Sequence, residues 1–180
     1  RREVVGKEAP YLMMGWRLGN SQSEDPFLGI LAQHLLYNQQ AGLLDLELNQ
    51  RQLVLESEAW IWIHEDYSAF GLYAKPREGQ TLEEVEALLL QVLQRLRDGD
   101  FPDWLVEAVV KDLKLGEIKA AESNESRVQM MASAFILGID WARMAARLNW
   151  MEQVSKEKIT EFARHNFRED NFVAVFKRQG

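Results

Sequence analysis

The chain has 180 residues, enough for one domain that buries roughly two thirds of its unfolded surface around a single core. Its 21 Lys and Arg against 28 Asp and Glu leave a formal charge of −7, which argues against the clustered cationic surface that holds a phosphate backbone, so no nucleic-acid partner is expected. The absence of cysteine excludes disulfides and thiolate metal sites, and no apolar run reaches the roughly 20 residues of a bilayer span, so no membrane partner is expected.

Taken in order, Arg1 to Pro10 is charged and without period, and reads as a linker ahead of a single domain over residues 11–180. The start at Arg1 rather than methionine leads to the expectation of a piece of a longer, multidomain chain; nothing in the stretch assigns a compartment. YLMMGWRL (Tyr11 to Leu18) reads as a short buried strand. Ser23 or Asp25, with Pro26 in the first turn, opens a helix whose apolar positions are Phe27, Leu28, Ile30, Leu31, Leu35 and Leu36. Leu43, Leu44, Leu46 and Leu48 suggest a second, shorter helical piece.

LVLESEAWIWI (Leu53 to Ile63) alternates with period two: Ser57, Ala59, Ile61 and Ile63 share a dry face with Leu53 and Leu55, and Glu56, Glu58, Trp60 and Trp62 share the other with Val54. DYSAFGLYAK returns as its hairpin partner, stopped by Pro76 and Gly79. Thr81 and Glu84 form a capping box for a helix carrying Leu82, Val85, Leu89, Val92, Leu93 and Leu96, closed by Gly99. A long helix follows from Pro102 to about Glu122 with Trp104, Leu105, Val109, Leu113 and Ile118 inward. The next uses Val128, Met131, Ala132, Phe135 and Ile136, and Asp140 caps another around Trp141, Met144 and Leu148. Ser155 opens the last helix, and FVAVFK is a terminal strand. This order predicts an α+β domain with a mostly antiparallel sheet and helices packed on it.

Chemistry-bearing residues are sparse. His34 stands in a strong helical pattern, but the position four residues on, where a second zinc ligand would sit, is Asn38. Glu56 and Glu58 lie about 7 Å apart on one strand face, as paired carboxylates would, although acidic residues there also suit a solvated surface. Trp60 and Trp62 beside them exceed what a wet sheet face needs and mark a surface for a partner or a peptide.

Several pieces in a fixed order resemble a known family: the strand ending Gly-Trp-Arg-Leu, the helix PFLGILAQHLLYN, the segment LLDLELNQRQLVLESEAW, the strand and helix DYSAFGLYAKPREGQTLEEVEALLL, and the ending SKEKITEFARHNFREDNFVAVFK. Together they resemble one half-subunit domain of the insulinase-like, or pitrilysin-type, zinc metallopeptidases, which include the mitochondrial processing peptidases. In the catalytic domain of that family an H-x-x-E-H motif on the first helix supplies two zinc ligands and the base that activates water. The matching place here reads His34-Leu35-Leu36-Tyr37-Asn38, which keeps one ligand and loses the base and the second ligand.

The resemblance therefore implies the non-catalytic partner type of domain, with no metal or cofactor of its own and with zinc held by another domain of the same chain or complex. The arginine and tyrosine that such partner domains often use on a substrate backbone fall here at Asn49 and Glu56, so that pair is absent. What the resemblance leaves is a wall or interface of a peptide-cleavage chamber, with Glu56, Glu58, Trp60 and Trp62 as the residues to face peptide. A pure assembly domain without peptide contact is the alternative, and an unrelated α+β enzyme working through Glu56 and Glu58 is a third reading.

Overall fold

The computed structural model describes residues 1–180. In chain order the elements are β1 (Arg2–Gly6), β2 (Tyr11–Leu18), α1 (Asp25–Leu36), a π-helical turn (Asp45–Asn49), β3 (Glu56–Ile63), β4 (Ser68–Lys75), α2 (Leu82–Asp98), α3 (Trp104–Ala121), α4 (Asn124–Ile136), α5 (Trp141–Met151), α6 (Lys156–Asn166) and β5 (Val173–Gln179).

Alternation sets the sheet. Along β2, Leu12, Met14, Trp16 and Leu18 are buried while Arg17 is exposed, the mark of a strand with one face on a core. The five strands lie in the order β1-β5-β2-β4-β3, antiparallel throughout except for the parallel β1–β5 pair. Helices α1, α2 and α6 pack on one face. The α2 helix shows why the sequence stops where it does: Thr81 Oγ1 accepts from the Glu84 N–H, the Glu84 carboxylate accepts from the Thr81 N–H at 2.8 Å, and Gly99 takes the left-handed φ of 71°. Leu89, Leu96, Leu31, Leu35, Phe70 and Ile159 meet in one continuous core.

Three expectations need correction. The first ten residues are not a linker throughout, because Arg2–Gly6 pairs residue for residue with Val175–Gln179; its partner lies at the far end of the chain, and no local period announces it. Strand β3 begins at Glu56 rather than Leu53, after Gln52 turns at φ 53°, so Val54 is buried and Leu55 is 69% exposed, the reverse of simple alternation. The expected short helical piece is present, Leu43 and Leu44 leading into a π-helical turn at Asp45–Asn49. Of the apolar residues assigned inward on α3 and α4, Leu105 and Val109 are buried and Leu113 packs against the core, but Trp104, Ile118, Val128, Met131, Phe135 and Ile136 are exposed, Phe135 by 87%. Helix α4 instead contributes Ala134 to a small separate cluster with Ile139 and Met144, with Met130 packed against it.

Candidate functional site

The position of the degenerate motif is set by where α1 ends. Tyr37 is the C-cap, in extended conformation at φ −147°, so only His34 of the three motif positions is on the helix. Its imidazole lies in the groove between α1 and α3, with Asn38, Trp104, Leu105 and Asp112 around a cavity of about 150 Å³. Burial lowers the affinity of His34 for a proton, and the negative charge of Asp112 partly restores it.

Asn38, past the helix end, is engaged in loop structure. Its Nδ2 donates to His34 O at 3.1 Å, and its Oδ1 accepts from the N–H groups of Gln40 and Ala41 at 3.0 and 2.8 Å. Tyr37 points toward acidic neighbours: burial first, then Glu58, Asp45 and Glu56, push its phenol above the ordinary value. A zinc ion needs several ligands converging from fixed positions. These three side chains do not converge, and no group of three or more His, Asp or Glu side chains gathers as a metal site anywhere in the chain.

The four residues expected on one strand face do share it, on the side of the sheet away from α1. Glu56 sits opposite Lys75 in register and accepts from its Nζ at 2.8 Å, so its charge is answered; Glu58, opposite Tyr73, has no basic partner. Trp60 lies across Gly71, where any β-carbon would overlap its six-membered ring, and Trp62 stacks on it with centroids 4.3 Å apart. Trp62 is 61% exposed while Trp60 is half-buried. Neighbouring Gly15, Arg17, Tyr67, Ala69 and Val173 border a shallow depression of about 330 Å³ on the same face, and Arg17 stands over the Tyr67 ring. The surface is thus an aromatic ridge beside a floor of small residues, with one free carboxylate.

Sequence reasoning missed the network beneath this strand. The buried Asp45 carboxylate accepts from Asn38 N at 3.0 Å and Gly42 N at 3.2 Å, which holds the loop after α1. Asn49, four residues on, uses both ends of its amide on β3: Oδ1 accepts from Ser57 N and Nδ2 donates to Ser57 O, each at 2.8 Å. An Asp and an Asn four apart amid leucines were the available signal, since polar residues in an apolar run need internal partners.

Helix α1 thus carries a lone imidazole on a helix-on-sheet domain, and Asn38 beyond its end shapes a loop. The family model described as the peptidase M16 inactive domain matches residues 1–113, and the chain belongs to that family. Zinc in M16 peptidases is accordingly held outside this domain.

No curated protein sequence matches the chain. Among solved structures it is similar to a protease from Helicobacter pylori, with a TM-score of 0.89 and 14% identity over 98% of this chain and 43% of that one. The inactive peptidase domain of a candidate zinc protease from Bordetella parapertussis gives 0.81 and 14%, over 95% and 93% of the two chains. The peptidase M16 inactive domain from Pseudomonas fluorescens gives 0.82 and 12%, over 99% and 43%. At such identities the likeness is one of fold, and the chain spans less than half the length of the Helicobacter and Pseudomonas chains.

Proposed function

We propose that this chain is the catalytically inert domain of an M16-type zinc peptidase, working beside a zinc-bearing domain of the same chain or complex and forming part of the wall of its peptide chamber. The family supports the inert half of this reading, and the stacked Trp60–Trp62 pair carries the rest. An exposed aromatic ridge braced on Gly71, with the unpaired Glu58 next to it, offers an extended peptide apolar faces and one acceptor for a cationic or amide group. Glu56, tied to Lys75, contributes less.

The test is made in the complete peptidase. Trp60→Ala and Trp62→Ala are expected to reduce peptide turnover while leaving assembly with the zinc-bearing domain intact; unchanged turnover in both variants refutes the chamber role. Loss of assembly instead favours a second reading, a scaffold without peptide contact, for which the exposed Val128, Met131 and Phe135 of α4 speak. This domain, dialysed after exposure to zinc, is expected to retain no stoichiometric metal, and His34→Ala to change nothing; one zinc per chain that disappears in that variant refutes inertness.

A further inference from the structure

Strand β3 is an edge of the sheet, and its hydrogen-bonding parity can be read from the hairpin. His64 N donates to Tyr67 O at 3.0 Å, and with the register Trp62↔Ala69 and Trp60↔Gly71 this makes the even-numbered residues of β3 the ones bonded to β4. The N–H and C=O groups of Ser57, Ala59, Ile61 and Ile63 therefore point away from the sheet. An edge of this kind is a template for a further strand.

Here it is partly occupied by side chains. The Asn49 amide meets Ser57 with one donor and one acceptor, the pattern a neighbouring strand residue would present, and Gln33 Nε2 donates to Ala59 O at 3.3 Å. Asn49 is held for this by the π-helical turn that ends on it and by Asp45, whose Oδ1 lies 3.4 Å from its Nδ2. Ser57 Oγ also donates to Asn49 Oδ1 at 2.8 Å, so the whole acceptor is committed to β3. Ile61 and Ile63, half-buried, have no partner of this sort.

We propose that the Asn49 amide is a built-in strand surrogate that closes the Ser57 end of the β3 edge, so that an extended peptide backbone entering this edge pairs only at Ile61 and Ile63. The second half of the proposal rests on the reading of β3 as peptide-facing; the first does not. The occupant follows from the chemistry of the open positions, which offer alternating backbone donors and acceptors beside the aromatic ridge and Glu58. That is what an extended chain with a basic residue complements. The surrogate confines pairing to two residues and guards most of the edge against adding a second copy of the domain.

Amide exchange and amide chemical shifts in the intact chain test both halves, with a soluble decapeptide of alternating threonine and valine ending in two lysines as probe. In the natural chain the Ser57 amide is expected to be protected, and the probe to shift only the Ile61 and Ile63 amides. Asn49→Ala is expected to speed Ser57 exchange by about tenfold, the loss of roughly one hydrogen bond, and to extend the probe's footprint to Ser57. Ile63→Pro removes an outward N–H without touching the β4 ladder, so it should keep Ser57 protected and abolish probe binding. Unchanged Ser57 exchange in Asn49→Ala overturns the surrogate. Faster exchange with no probe-induced shift at any β3 amide overturns peptide pairing at this edge while the surrogate stands; the peptide-facing reading of the aromatic ridge falls separately, on unchanged turnover in the Trp60 and Trp62 variants.

Discussion

Replacing Gly71 by alanine tests how the aromatic ridge is built. The added methyl has no room beneath Trp60, since it would overlap Cζ2, Cε2 and Cη2 of that ring, and the ring must leave the sheet. About half of a tryptophan's burial, on the order of 100 Å² at about 25 cal/mol/Å², is then lost, worth roughly 2.5 kcal/mol. Separation of the Trp60–Trp62 stack adds about 1 kcal/mol. Alanine in a strand returns roughly 0.5–1 kcal/mol of the conformational entropy that glycine forfeits on folding. The net expectation is a destabilisation of about 2–3 kcal/mol by urea unfolding, with loss of the near-ultraviolet signal of the coupled indoles. The decisive measurement is Gly71→Ala in a Trp60→Ala background: with the ring gone, the same change should be neutral or stabilising. If Gly71→Ala costs the same in both backgrounds, the glycine is not there for the ring and the reasoning fails.

Further outcomes follow from the same geometry. Phe135→Ser on α4 should alter stability by no more than about 0.5 kcal/mol, against the 3–5 kcal/mol expected had the residue been core, as thermal unfolding will show. Asp45→Ala removes a buried acceptor of two backbone N–H groups and should cost roughly 2–4 kcal/mol in urea unfolding, with exchange of the Asn38 and Gly42 amides accelerated first. His34 should titrate below the ordinary histidine value, because burial disfavours its charged form, and Asp112→Asn should lower the midpoint further in a proton-resonance titration. The unfolded chain then binds the extra proton, so the His34 contribution to stability is full above about pH 6.5 and is lost as the pH falls toward the folded-state value; a midpoint raised by Asp112→Asn would contradict this.

Much of this was legible in the residues. The capping box at Thr81, the left-handed Gly99 and the Asp140 and Ser155 caps are local signals, each answered by a local bond or torsion, and the apolar run Tyr11 to Leu18 does form a strand. What failed was non-local. Strand β1 exists only because β5, some 170 residues away, runs beside it, and a window on Arg2–Gly6 contains no trace of that. The stripe Val128, Met131, Phe135 has the helical spacing of a core face, yet spacing reports that residues share a side and not what lies opposite. The candidate site was half visible: Trp60, Trp62 and Glu58 could be placed on one face by parity alone. Asn49 was identified only by position, because its role depends on a π-helical turn whose five residues show no distinctive pattern.

The parallel pairing of β1 with β5 makes the two extremities of the chain one structural unit. Gly180 N donates to Gly6 O, and Lys177 Nζ, buried, donates to the carbonyls of Glu8 and Ala9, so the last residues fasten the first from both sides. Deleting Arg1–Gly6 would leave β5 as a bare margin, with Val173 already exposed and its outward amides unsatisfied. An expression boundary placed a few residues late would thus yield not a slightly shorter domain but a self-adhesive one, and fusion partners are better attached beyond both ends than in place of either.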